Sequence, residues 1–263
     1  YDVVIDTEQW HRLSAVVAYA SRAHVRIGFA TNERERLFTN KISYSHDDYE
    51  VYSFLRLIEP LIGYIPSFSH DEPFVNVEDN PASLDGHLSE NTIAIFPGAT
   101  VAERRWGGER YGRVARVLVE KGYKVIIIGS EDDREDAAKI INIAPGAIDL
   151  TGKTTLKEVA SILKRSKLLI NADSGLLHLA VAVGTPTVSL FGSGIEKKWA
   201  PRGKRHRVIN KHLACSPCTK FGYTPECRKG RSCMNLISEE EVLEKIDELL
   251  AGNPSTYEVE HGH

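Results

Sequence analysis

The chain has 263 residues, of which 42% are hydrophobic and 26% charged, and its net charge is −3. This is the balance of a soluble globular chain, long enough for one large domain or two of ordinary size. No apolar run approaches the roughly eighteen residues of a membrane span, and no signal peptide opens the sequence.

In chain order, residues 2–5 read as a strand, 13–21 as a helix, 25–29 as a strand and 49–62 as a helix. Two strands and two helices are too few for an independent doubly wound sheet. The sequence also opens without Met, directly into a strand. Residues 1–65 are therefore expected to be part of an N-terminal Rossmann-like domain whose first strands precede Tyr1. Residues 66–91, with Pro66, Pro73, Pro81 and several acids, read as a linker between two lobes. From 92 to 263 strand and helix alternate regularly. Strands at 92–96, 124–128, 147–150, 167–171, 187–191 and 207–209 are largely apolar. Helices at 109–121, 131–141, 156–165 and 176–183 separate the first five, and a helix at 238–250 closes the chain. Thr155 and Glu158 stand at capping-box spacing. Apolar strands separated by helices mean a parallel sheet covered on both faces, and hence an α/β fold.

The turns after these strands are Pro97-Gly98-Ala99-Thr100, Gly129-Ser130-Glu131, Thr151-Gly152-Lys153, Asp173-Ser174-Gly175 and Gly192-Ser193-Gly194. They mark the carboxyl edge of the sheet, where open α/β folds bind ligands. The Asp173-Ser174-Gly175 joint is the most informative. It lies between a buried strand and an apolar helix, where free backbone N–H groups and the helix dipole favour an anion. Ser174 can cap the helix, Gly175 lets a ligand approach the backbone, and Asp173 can accept hydrogen bonds from hydroxyls. A phosphate beside a hydroxyl-rich group, as in a nucleotide sugar, suits such a joint.

Other motifs are weaker. Gly192-Ser-Gly194 is a fragment of a dinucleotide fingerprint with no Gly at 197, which disfavours a nicotinamide oxidoreductase. Thr151-Gly152-Lys153-Thr154 looks like the end of a P-loop, but the leading Gly falls at 146 rather than 147. Arg104 and Arg105 either neutralise a leaving pyrophosphate together with Thr100, or are solvated arginines beside a packed Trp106. Asp132 and Asp133 stand where a carboxylate meets a ribose hydroxyl, or form a favourable acidic first turn. His178, one turn into its helix, reads alone as a buried structural histidine. Cys215, Cys218, Cys227 and Cys233 are spaced C-x2-C-x8-C-x5-C, either a tetrahedral zinc site or a structural loop. Residues 196–233 carry eleven Lys or Arg against Glu196 and Glu226. That patch suits phosphorylated or membrane-surface partners, and with zinc it would suit a nucleic-acid-binding module; sparse aromatics and the acidic remainder of the chain argue against nucleic acid.

Taken together, these residues resemble glycosyltransferase family 9, the lipopolysaccharide heptosyltransferases. The likeness rests on Pro97-Gly98-Ala99-Thr100 with Arg104 and Trp106, on Leu150-Thr151-Gly152-Lys153-Thr154, and on Asp173-Ser174-Gly175-x-x-His178. It continues through Gly184-x-Pro186 into Leu190-Phe191-Gly192, and the opening strand and the cysteine stretch also look like members of the family. The resemblance implies a GT-B arrangement of two Rossmann-like domains with parallel sheets. It implies inverting, metal-independent transfer of heptose from ADP-heptose to the inner core of lipopolysaccharide, without a cofactor, in the cytoplasm or at the cytoplasmic face of the inner membrane. No Asp-x-Asp is present to hold a divalent ion. Arg104 and Asp173 would then be catalytic. Thr100, Asp132 or Asp133, Gly152, Lys153, Thr154, Asp173, Ser174, Gly175 and His178 would bind the donor. The family's general base, an aspartate in the first βα loop, would lie ahead of Tyr1, and neither Asp6 nor Glu8 is expected to replace it.

Overall fold

In a computed structural model, residues 1–77, 84, 86, 88–220 and 222–251 are described. Two compact units emerge. The first comprises Tyr1–Ser69 with the short segments Ile195–Trp199 and Thr219–Tyr223, and the second comprises the remainder from His70.

The first unit is built on three parallel strands in the order β1 (Val3–Asp6), β2 (Val25–Phe29), β3 (Asn40–Ile42). Val3 pairs with Val25, and Ile27 with Asn40. Helix α1 (Arg12–Ala20) buries Ala15 and Ala18 against Phe38, while Ile27 and Phe29 pack with Leu57. The helix expected over 49–62 is broken into α2 (Glu50–Arg56) and α3 (Glu59–Ile62). Pro60 lies in the first turn of α3, where its missing N–H costs nothing, and it cannot continue a helix begun at Glu50. Strand β3 was not anticipated; its three residues are too short to show an alternating pattern.

The second unit carries a six-stranded, wholly parallel sheet. Its strands are β4 (Thr92–Phe96), β5 (Lys124–Ile127), β6 (Ile148–Asp149), β7 (Leu168–Ala172), β8 (Thr187–Phe191) and β9 (His206–Asn210). Helices α4 (Gly108–Glu120), α5 (Arg134–Ile143), α6 (Leu156–Arg165) and α7 (Gly175–Ala182) connect them, with a short α8 (Glu196–Trp199) before β9, itself part of the first unit. A short α9 (Ser232–Asn235) and α10 (Glu239–Ala251) follow. Every residue of β4, β7 and β8 is buried, which explains why they read as continuous apolar runs rather than alternating ones. One face packs on α4, α5 and α10 through Ile93, Ile95, Leu118, Ile140 and Ile246, and the other on α6 and α7 through Ile126, Ile128, Ile162 and Ala180. Trp106 belongs to the first of these cores, with its Nε1 donating to Ile237 O at 3.1 Å and its ring edge-on to Tyr111.

The segment expected to link two lobes joins the second unit from His70 onward. The N–H groups of Phe74 and Val75 donate to Ala182 O, and Pro73 packs against Gly184. Part of that expected linker (78–83, 85 and 87) and the last twelve residues of the chain, 252–263, lie outside the described residues. No helix of the described residues is long and apolar enough to cross a membrane.

Candidate functional site

The sheet order is β6-β5-β4-β7-β8-β9. The chain therefore runs outward from β4 through β5 to β6, crosses back to β7 on the opposite side of β4, and runs outward again. Residue Ile95 of β4 pairs with Ile127 on one side and Ile170 on the other. Such a reversal opens a crevice beyond the carboxyl ends of the two central strands, the usual ligand position in open α/β sheets. The loops leaving those strands are 97–100 and 173–174.

Asp173 follows β7 and is 4% exposed, its N–H tied to Leu190 O. Arg104 brings Nη1 to 3.1 Å from Asp173 Oδ2. The approach is off the line of a hydrogen bond, so Asp173 Oδ2 and Arg104 Nε are buried polar atoms without a hydrogen-bond partner. Buried polar atoms without a hydrogen-bond partner are costly, and a donor for Asp173 and an acceptor for Arg104 would relieve that cost. Burial pushes the Asp173 carboxyl above the ordinary carboxylate value, and Arg104 offsets this only in part. Gly194 comes so close that a Cβ there would fall 1.9 Å from Asp173 Oδ2.

Ser174 does not cap α7, contrary to expectation. Its Oγ instead accepts from Asn171 Nδ2, on β7, at 3.0 Å. The start of α7 is thus left without a side-chain cap, which suits a helix N-terminus that receives an anion. His178, on α7, is held below the ordinary histidine value by burial.

Thr100 is exposed and, with Phe96, Leu156, Ser174, Gly175 and Leu179, lines a cavity of 360 Å³. Its leucines make an apolar wall suited to a flat heteroaromatic group beside the anion-favouring end of α7. Leu156 was not singled out from the sequence. The signal was an apolar residue at the first helical position behind a capping box, 67% exposed. Gly152 N–H donates to Gly129 O, placing the 151–155 loop beside the β5 loop. Lys153 is less free than a ligand-binding lysine, since its Nζ donates to Asp149 O at 2.7 Å. Thr151 and Thr154 each keep a buried Oγ1 without a partner.

Asp132 and Asp133 separate clearly. Asp132 is exposed, whereas Asp133 Oδ2 accepts from Ser130 N–H and Oγ, and its Oδ1 from Arg105 Nη2 at 3.0 Å. Asp133 is committed to Ser130 and Arg105, whereas Asp132 stays exposed. Neither Arg104 nor Arg105 is solvated surface.

In the first unit, Asp6 pairs with buried Arg34 at 2.6 Å. Glu8 accepts from the N–H groups of Gln9, Trp10 and His11. Burial raises the Glu8 carboxyl, but these three donors outweigh it and hold it below the ordinary value. Both acids thus serve the entry to α1. Lys198 forms a buried pair with Glu50 beneath the ring of Tyr44.

The four cysteines are free thiols. Burial is the chief cause that raises the Cys218 and Cys233 thiols, which keeps them protonated. Among the described residues no group of three or more His, Cys, Asp or Glu is arranged to hold a metal ion. The segment packs against the turn after β8: Cys218 N–H donates to Ser193 O, Ser216 Oγ to Gly192 O, and Met234 and Cys233 touch Gly192. Among the basic residues of 196–233, Lys197 pairs with Asp47, Lys198 with Glu50, Arg207 with Glu248 and Lys211 with Glu241.

Residues 1–227 match the family model for glycosyltransferase family 9 (heptosyltransferase). The chain belongs to glycosyltransferase family 9. The family-9 chain is 28% identical over 215 residues to lipopolysaccharide heptosyltransferase 3 of Escherichia coli, covering 76% of this chain and 62% of that protein. It is 29% identical over 177 residues to lipooligosaccharide heptosyltransferase 2 of Haemophilus influenzae, covering 62% of this chain and 49% of that one. The matched regions thus span about half to three-fifths of these two relatives. Among solved structures it resembles the E. coli ADP-heptose lps heptosyltransferase II with a TM-score of 0.73 at 23% identity, over 95% of this chain and 77% of that one. The fold is accordingly of the GT-B class, α/β with parallel sheets.

Proposed function

We propose that this family-9 chain binds ADP-heptose in its second unit and serves inverting, metal-independent transfer of heptose to the inner core of lipopolysaccharide. The observation that carries the reading is the pair of buried atoms without a hydrogen-bond partner, Asp173 Oδ2 and Arg104 Nε, beside the uncapped start of α7 at the reversal of the sheet. A sugar hydroxyl donating to Asp173 and a diphosphate oxygen accepting from Arg104 would satisfy both. Family membership supplies the reaction class. The acceptor hydroxyl gives up its proton to a general base and attacks the anomeric carbon opposite the leaving ADP, the carbon–oxygen bond to ADP breaks, and its electron pair remains on the phosphate. Arg104, Thr100 and the N–H groups opening α7 stabilise that charge, the work a divalent ion does in other transferases. The 360 Å³ cavity beside Thr100 and Leu156 takes the adenine, and Asp132 the ribose. Asp6 and Glu8, committed to Arg34 and the start of α1, are not assigned as the base. The reaction is placed in the cytoplasm, at the face of the inner membrane where the acceptor is anchored.

Thermal unfolding in the presence of ADP, ADP-heptose, a nicotinamide dinucleotide and single-stranded RNA tests the reading. ADP at a hundred times its Kd should add about 2.7 kcal/mol of stability. Stabilisation by the dinucleotide or RNA but not by either ADP compound would overturn it.

A further inference from the structure

The donor reading leaves Arg105, Asp133 and Asp136 without a task, yet they form a densely bonded polar cluster at the carboxyl edge of the sheet. Arg105 uses all three of its guanidinium nitrogens. Nε donates to Ala99 O at 2.9 Å, Nη2 to Asp133 Oδ1 at 3.0 Å and Nη1 to Asp136 Oδ2 at 3.1 Å. Each carboxylate is anchored in turn. Asp133 Oδ2 accepts from the backbone and hydroxyl of Ser130, and Asp136 Oδ1 accepts from the N–H of Gly108 at the start of α4. The cluster thereby ties together the loops after β4 and β5 and the first turns of α4 and α5. The Arg105–Ala99 bond has a further consequence: it closes a loop that holds Thr100 at one end and Arg104 at the other. Asp133 supports the same loop from beneath, since a Cβ on Gly98 would fall 2.0 Å from its Oδ1.

We propose that Arg105 is a positioning residue, which with Asp133 and Asp136 holds residues 99–104 so that Thr100 and Arg104 meet the donor diphosphate together. The proposal rests on the donor reading and deepens it. Arginine is required because one planar fork must reach two carboxylates and a carbonyl in fixed directions. A lysine ammonium keeps the charge between the carboxylates but not the three-way geometry. Charge and geometry can therefore be separated by one conservative substitution.

The experiment compares the wild-type chain with Arg105→Lys by thermal unfolding, amide hydrogen exchange and ADP titration. Arg105→Lys should unfold within a few degrees of wild type, because the two carboxylates keep a counter-charge. Exchange at residues 99–104 should nevertheless rise while β4 and α4 stay protected. The Kd for ADP should increase by roughly tenfold, the scale of one lost charge-assisted contact. Asp136→Asn, a milder cut in the same cluster, should move exchange and affinity in the same direction by less. Wild-type exchange at 99–104 in both variants overturns the role of Arg105, as does faster exchange with unchanged ADP affinity, which would make the cluster structural only. Failure of the wild-type chain to bind ADP is a different result. It overturns the donor reading itself, and with it the function given to the loop, while exchange still reports whether Arg105 orders it.

Discussion

Arg104 and Arg105 are adjacent in sequence and act on different groups, one reaching across to Asp173 and the other back to Asp133 and Asp136. If Arg104 carries the charge of departing ADP, Arg104→Ala in the active transferase should lower kcat by about a hundredfold, the usual effect of losing one preorganised transition-state donor. Arg104→Lys should recover part of that loss, and steady-state ADP release measures both. An unaltered kcat in Arg104→Ala would remove the residue from the chemistry. Asp173 gives a second residue-scale expectation. Burial raises its carboxyl pKa in the native state by more than Arg104 lowers it. Between the unfolded and native values the native state binds the proton more tightly, so stability from this group is fully present below the unfolded value and is lost as pH rises through the native one. Ionised Asp173 is thus a net cost at neutral pH. Asp173→Asn never ionises and escapes it. The Tm of the variant minus that of wild type should increase from about pH 4 to about pH 7, across the range in which carboxylates titrate. A flat or falling difference would mean that the carboxylate is solvated.

At the scale of the element, α6 shows how far a local signal reaches. Thr155 and Glu158 form the expected capping box, with Glu158 Oε2 accepting from Thr155 N–H at 2.7 Å and Thr155 Oγ1 from Glu158 N–H at 3.3 Å. The box fixes where the helix starts and thereby presents Leu156 at the cavity rim. Because Leu156 is mostly exposed, Leu156→Gln should change stability by less than about 0.5 kcal/mol. Its loss from the apolar wall should weaken ADP binding several-fold, read as a smaller ligand-induced Tm shift. An unchanged shift would place the base elsewhere. The contrast with α7 is instructive: both helices open with a hydroxyl residue, but Ser174 is claimed by Asn171 at 3.0 Å. One helix is closed by its own sequence and the other is left open at the ligand edge.

Across the whole molecule, the local excess of positive charge in 196–233 is smaller than its composition suggests. Arg207 is held by Glu248, and Lys197 and Lys198 by Asp47 and Glu50. Exposed pairs such as Arg207–Glu248 contribute at most about 1 kcal/mol and are screened by salt. Lys204, exposed, and Arg205, half-buried, remain the better candidates for a phosphorylated acceptor at a membrane surface. Neutralising these two should reduce acceptor use and its salt dependence in the active transferase while leaving the ADP-induced Tm shift unchanged. A matching loss of ADP stabilisation would show instead that the charges serve the donor. Chelation should leave both transfer rate and unfolding midpoint as they were. Loss of transfer with a steady midpoint would require a catalytic metal, and unfolding would make the cysteines a structural zinc site.

The sequence by itself determined most elements of the second unit and the carboxyl edge of its sheet. Strands buried on both faces must be apolar throughout, and the turns that follow them must carry Gly, Pro, Ser or acid, so β4, β5, β7 and β8 and their turns were legible from local chemistry. Pro60 and the short β3 were missed because a helical pattern can run through a proline and three residues hold no period. The tertiary structure alone decided which strands are neighbours. Placing β4 between β5 and β7 brings Arg104 to Asp173, sixty-nine positions apart, and makes one crevice of two distant turns. It also distinguished residues that look alike in sequence. Asp133 is bonded to Ser130 and Arg105 whereas Asp132 is exposed, because a carboxylate's role depends on which donors the fold delivers to it, and hydrogen bonds between distant loops leave no periodic trace in the chain.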